Sequence, residues 1–182
     1  MPHINFNNDF PGIRSAMAYS PETAAPMGVL AEILLRSEDG LSRAERELIG
    51  TYVSYLNDCF YCNHSHGAIA CIYLDGDMEL VEQVRTDYSK AAISDKLKSL
   101  LAIAAKVQMG GRNVTTADVE LARQNDATDK DIHDTVLIAA TFCMFNRYVD
   151  GLASFTPTDP EEYKAMGERM AKGYTMPQQP AE

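Results

Sequence analysis

Nearly every segment of this chain repeats its apolar residues at three- and four-residue intervals, and no stretch alternates convincingly as a β-strand would. That pattern restricts the fold to helices packed on helices. Start and stop signals divide it. Pro21 to Arg36 reads as a helix, with Ser20 as its N-cap candidate. Ser42, with Glu45 three residues on, makes a capping box and opens a helix to about Asn57. A helix over about residues 59–74 ends at Asp75-Gly76-Asp77, and a short one follows near Met78 to Thr86. Ser94 caps Asp95 to Met109, which Gly110-Gly111 stops. Thr115 or Thr116 opens a short helix to about Gln124, and Thr128, with Asp131, opens a long one to about Leu152. Asp159-Pro160-Glu161-Glu162 starts a last helix over about 160–172. Residues 174–182 are expected to form a loose tail. The sum is an all-α helical bundle of about seven to nine helices. Its 182 residues suit a single domain, with a core over about 15–155. Val136 to Phe145 is apolar nearly all round and is expected to be the central buried helix. Met17, Met27, Met78, Met109, Met144 and Met166 are expected to fill the core.

Composition narrows the function. The chain is 46% hydrophobic and 23% charged, as an ordinary soluble globular protein is. Its net charge of −10, with no basic stripe, argues against nucleic acid as a partner. The longest apolar-rich run, Val136 to Phe145, is half of the roughly 20 residues a membrane span needs. MPHINFNNDF has neither a positive n-region nor an apolar h-region, so no secretory signal is expected and the cytoplasm is the expected compartment. Four cysteines are too few for a disulfide scaffold, and a close pair in a reducing compartment suits redox or metal chemistry.

Such a pair stands in Cys59-Phe60-Tyr61-Cys62-Asn63-His64-Ser65-His66. At about 100° per residue, Cys59, Cys62 and His66 share one helix face and His64 turns to the other side. Ile69, Ala70 and Tyr73 continue the shared face, and Asn57-Asp58 offers an N-cap. A thiolate, not a thiol, attacks peroxides and disulfides, and an ordinary cysteine is only about 3% thiolate at neutral pH. A neighbouring imidazole and a helix N-terminus both favour the anion. Cys62, one turn from His66, is therefore the candidate attacking sulfur, and Cys59 the candidate resolving one.

Rival readings use the same residues. Asn63 stands where haem attachment needs histidine. Zinc would find three ligands in Cys59, Cys62 and His66, crowded on one side, with no obvious fourth. An inert packed patch is the third reading. His64 reads as a surface histidine, His3 as part of a mobile terminus and His133 as structural, while Cys71 and Cys143 read as small buried hydrophobes.

From Glu47 to His66 the chain resembles the alkylhydroperoxidase D-like branch of the carboxymuconolactone decarboxylase family. Glu47, Cys59, Cys62 and His66 match its pattern of a glutamate, eleven residues, then Cys-x-x-Cys-x-x-x-His. Tyr61-Cys62 and Asn146-Arg147 are similar to its peroxidase-related subgroup. The resemblance implies a thiol peroxidase with no bound cofactor. Its second cysteine attacks the hydroperoxide, the histidine and glutamate relay protons, and the first cysteine closes a disulfide. An external thiol, as in a lipoyl-bearing protein, re-reduces that disulfide. It also implies a homo-oligomer, a trimer or a hexamer. A non-peroxidatic enzyme of decarboxylase type, or a redox sensor, would carry the same fold. Helical spacing alone places Glu47 toward solvent, opposite Ile49, Tyr52, Val53 and Leu56, though small Gly50, Thr51 and Ser54 would let another helix approach. Some relatives have histidine where Tyr61 stands, which alters their proton path. Arg147 would bind a carboxylate or pair with an acid such as Asp150.

Overall fold

The computed structural model describes residues 1–174, and within them the chain forms nine α-helices, one short 3-10 turn and no strand. The helices are α1 (Ile13–Tyr19), α2 (Pro21–Arg36), α3 (Arg43–Leu56), α4 (Phe60–Tyr73), α5 (Met78–Asp87), α6 (Asp95–Met109), α7 (Thr116–Gln124), α8 (Asp129–Gly151) and α9 (Pro160–Met170). The tail expected to be loose lies outside the described residues, apart from Tyr174.

Local chemistry accounts for most of these boundaries. Ser42 with Glu45, Thr115 with Asp118, and Thr128 with Asp131 form reciprocal capping boxes. Ser94, Asp77 and Asp159 each accept a first-turn amide. Two caps differ from expectation. The Ser20 hydroxyl turns to Glu22 rather than capping α2. Asn57 is used up closing α3 and Asp58 takes a left-handed φ of 56°, so Cys59 itself becomes the N-cap of α4. The seven-residue α1 is too short to show a helical period in sequence, and it follows Gly12 at φ 55°.

Helix α3 is the axis of the bundle. Nine consecutive residues, Arg46 to Ser54, are buried on it, because α2, α4, α5, α6 and α8 all pack around it. Gly50 permits the closest of these approaches. A Cβ there would lie 2.3 Å from the Phe142 ring of α8. Gly50→Ala is therefore expected to destabilise the fold by about 1–3 kcal/mol through overpacking. The measurement is a lower urea midpoint at unchanged slope. Arg46, wholly buried, ties α3 to its surroundings. Its Nε donates to Leu41 O at 2.9 Å and its Nη1 to Leu34 O at 2.9 Å, while Nη2 lies 2.9 Å from Asp134 Oδ2 on α8.

Helix α8 is not buried all round. Ile138, Ala139, Phe142 and Phe145 face the core, but Leu137, Ala140 and Met144 are exposed. One side of the helix has no neighbour among the described residues, so apolar composition alone misplaced it. The methionines differ from expectation for the same reason. Met166 is buried, Met17 and Met27 are half-buried, and Met78, Met109 and Met144 are exposed.

The interior splits into two apolar clusters. The larger spans α2 to α8. The smaller gathers Cys59, Tyr61, Cys62, Ala68, Val149, Tyr163 and Met166 between α4, α8 and α9. Among the described residues, helix α9 packs mainly on α4, and it comes close because Gly167 faces Ala68. No helix among the described residues is long and apolar enough to cross a membrane.

Candidate active site

The two thiols sit at the start of α4, Cys59 as N-cap and Cys62 at the third helical position, and both are reduced. Unpaired first-turn amides and the helix dipole favour an anion at this end. The sulfurs are not equivalent. The Cys62 sulfur beside it, and then burial, push the Cys59 thiol far up from its ordinary range. Partial burial raises the carboxyl of Asp150, at the end of α8, against the opposing pull of the Cys59 thiol. Cys59 is sealed from solvent, whereas Cys62 lines a cavity of about 530 Å³.

One turn further along α4, His66 lines the same cavity. Its Nδ1 lies 2.8 Å from Glu47 Oε2. Glu47 is completely buried, which overturns the solvent-facing position that its spacing on α3 suggested. The small neighbours Gly50, Thr51 and Ser54 allow α4 and α8 to close over that face. A carboxylate oxygen at Nδ1 orients the imidazole and leaves Nε2 as the ring's other site for a proton. Phe142 stands edge-on to the imidazole, with ring centroids 4.6 Å apart.

The second Glu47 oxygen accepts from the hydroxyl of Tyr174. That phenol stacks over His66, its centroid 5.9 Å away and its plane within 10°. Burial, then the Glu47 charge, pushes Tyr174 well above the usual phenol range, so it stays a donor. Residues 171–174 form a strap that carries Tyr174 over the cavity. The Ala171 carbonyl accepts from Arg36 and from Tyr73, and the Tyr174 amide donates to Glu32 at 2.7 Å. Sequence reading left Tyr174 in a loose tail. A terminal segment has no period to read, and its anchors lie on α2 and α4.

The four expected residues Cys59, Cys62, His66 and Glu47 are thus brought together. Tyr61, where some relatives have histidine, is buried, and its hydroxyl donates to Met166 Sδ at 3.3 Å, as Ser65 Oγ also does. Burial, then the Cys62 sulfur beside it, pushes its phenol up to about 12, so it is no base at neutral pH. His64 is half-exposed, stacked on Phe60 with its Nδ1 at the Phe60 carbonyl. Arg147 points away from the cavity. It is exposed and donates to its own helix at Cys143 O, pairing with no acid among the described residues. Asn146 is structural, donating to Ser54 and accepting from Asn57 at 2.8 Å. Cys71 and Cys143 are half-buried rather than buried, and His133 is exposed against Asp134. Among the described residues no three His, Cys, Asp or Glu side chains converge as metal ligands would.

Residues 21–71 match the carboxymuconolactone decarboxylase family. An uncharacterized peroxidase-related protein from a Silicibacter species shares 30% identity at a TM-score of 0.76, over 86% of this chain and 80% of that one. An uncharacterized peroxidase-related protein from Ralstonia eutropha, described as an alkylhydroperoxidase AhpD core, gives the same identity, TM-score and coverage. A protein of unknown function from Agrobacterium tumefaciens shares the fold at a TM-score of 0.67 and 18% identity, over 87% of this chain and all of that one. No curated protein matches the sequence.

Proposed function

Because the chain belongs to the carboxymuconolactone decarboxylase family, in its alkylhydroperoxidase-like, peroxidase-related branch, we propose that it is a thiol peroxidase in which Cys62 reduces hydroperoxides. The observation that carries this reading is the pairing of Cys62 and His66 on one cavity, with His66 Nδ1 fixed by the buried Glu47. Cys62 attacks the outer peroxide oxygen. An S–O bond forms, the O–O bond breaks, and the thiol proton passes through His66 to the departing alkoxide, releasing an alcohol. Glu47 holds the imidazole and offsets its charge while it carries that proton. Cys59, held as a thiol, then displaces water from the Cys62 sulfenic acid and closes a Cys59–Cys62 disulfide. An external dithiol, such as a lipoyl-bearing protein, returns both sulfurs to the reduced state. A cycle that needs re-reduction suits the cytoplasm.

Stopped-flow mixing of the reduced protein with hydroperoxides tests this, with the disulfide mapped by mass spectrometry. His66→Ala is expected to slow disulfide formation by about 10²–10⁴-fold. An unchanged rate would remove the imidazole from the mechanism. Slow disulfide formation that ignores hydroperoxide would instead identify a redox-sensing or decarboxylase-like relative.

The exposed apolar side of α8, with Leu137 and Met144, supports assembly into a homo-oligomer, a trimer or a hexamer. Light scattering at micromolar concentration is expected to give a multiple of the chain mass. A monomer contradicts the assembly.

A further inference from the structure

The cavity over Cys62 has a charge pattern opposite to that of the chain. The protein carries 26 acidic and 16 basic residues. Yet the lining includes Arg14, Arg169 and Lys172 and not one aspartate or glutamate. These three cations come from α1 and from the end of α9 with the strap that continues it, so two separate segments bring them to one cavity. None of the three has a carboxylate partner among the described residues, although other basic side chains here pair freely, as Arg36 does with Glu32 and Lys106 with Asp118. Arg14 rests on the Phe10 ring, with its guanidinium 4.7 Å from the centroid. Partial burial, and then repulsion from Arg169, depresses its pKa, so two like charges are held near one another without a counter-ion. The same cavity has apolar walls, with Ile13, Met17, Phe145 and Met170. The polar groups Cys62, Ser65, His66 and Tyr174 also line it. A volume of about 530 Å³ falls within the usual range for a small-molecule site.

The geometry points to an organic hydroperoxide bearing a carboxylate on an apolar chain, of the fatty-acid hydroperoxide class, as the substrate, with its carboxylate held by Arg14, Arg169 and Lys172 and its peroxide delivered to Cys62. This rests on the peroxidase reading for its chemistry, but not for the binding site. The carboxylate relieves the repulsion between the guanidiniums and accepts charge-assisted hydrogen bonds. The apolar walls take the chain. A neutral hydroperoxide of the same length fits the walls and leaves the cations unpaired, so the discrimination comes from those cations.

Two measurements test it. The first needs no peroxide. Decanoate is expected to protect Cys62 from iodoacetamide, scored by peptide mapping, at about tenfold lower concentration than decanol. Added salt is expected to weaken the protection, and Arg14→Gln with Arg169→Gln to remove the advantage of the acid. Equal protection by acid and alcohol overturns the proposal. The second compares linoleic acid hydroperoxide with its methyl ester in single-turnover stopped flow. The acid is expected to react about tenfold faster or more, and the acid-to-ester ratio to fall toward one in the double variant and in Lys172→Gln. A ratio near one in the wild type overturns the substrate assignment. So does a double variant impaired only in re-reduction by dihydrolipoamide, which would give the cations to the reductant. If no hydroperoxide oxidises the protein but decanoate still protects Cys62, the peroxidase reading fails and the anion site stands.

Discussion

Cys62→Ser is expected to lose hydroperoxide-driven oxidation by at least about 10³-fold, while Cys59→Ser is expected to complete a first oxidation and then stop. The two outcomes differ because the sulfurs have different surroundings. Cys62 opens onto the cavity with His66. Cys59 is sealed, so a hydroperoxide does not reach it, and its raised pKa keeps the proton on its sulfur. That same proton is what the hydroxyl of a Cys62 sulfenic acid takes up to leave as water when the S–S bond forms. Without Cys59, the Cys62 sulfenic acid persists and drifts toward the irreversible sulfinic state. Dimedone labelling read by mass spectrometry checks this. Label on Cys62 in Cys59→Ser, and none in Cys62→Ser, is the expected result. Label on Cys59 in the Cys62 variant would reverse the roles.

Arg46→Ala is expected to cost about 3–5 kcal/mol, the largest stability loss for any single side chain described above. Removing the guanidinium strands the carbonyls of Leu34 and Leu41 and leaves the buried Asp134 with one cation fewer. Burial alone would raise the Asp134 carboxyl, but its bonds to Lys130, His133 and Arg46 outweigh burial and hold it below its ordinary value. A depressed carboxylate stabilises the fold above its unfolded pKa, and that contribution is lost as pH falls through the folded value. In Arg46→Ala the depression shrinks, so this contribution is smaller at neutral pH and is fully lost at a higher pH than in the parent protein. Urea unfolding of both proteins over acid to neutral pH measures the two effects together.

Much of this was legible in the sequence because it is local. Capping boxes at Ser42, Thr115 and Thr128 lie within four residues, and each marks the helix start it predicts. The common face of Cys59, Cys62 and His66 follows from helical geometry alone. What escaped depends on other parts of the chain. Glu47 is buried because α4 and α8 close over the small face of α3, and the period of α3 cannot report its neighbours. Spacing therefore pointed to solvent, and only the family resemblance placed Glu47 beside the histidine. Tyr174 and Lys172 escaped for a related reason, since Arg36, Tyr73 and Glu32 hold their strap from other helices. The exposure of Met144 and Leu137 on α8 shows the converse error, in which apolar composition was taken for burial.

The division of the interior into a large and a small apolar cluster sets the order in which the molecule comes apart. Helix α9 packs mainly on α4, through the small cluster, so it is expected to loosen, once the strap that follows it releases, while the bundle around α3 stays intact. Segments with fewer buried contacts open at lower free energy than the global transition. The amides of α9 should therefore exchange with deuterium ahead of those of α3 and α6. Cys59, sealed from solvent, belongs to that cluster. Such a hinge would let a bulky reductant reach a bond that the resting molecule hides, with no need to unfold the rest.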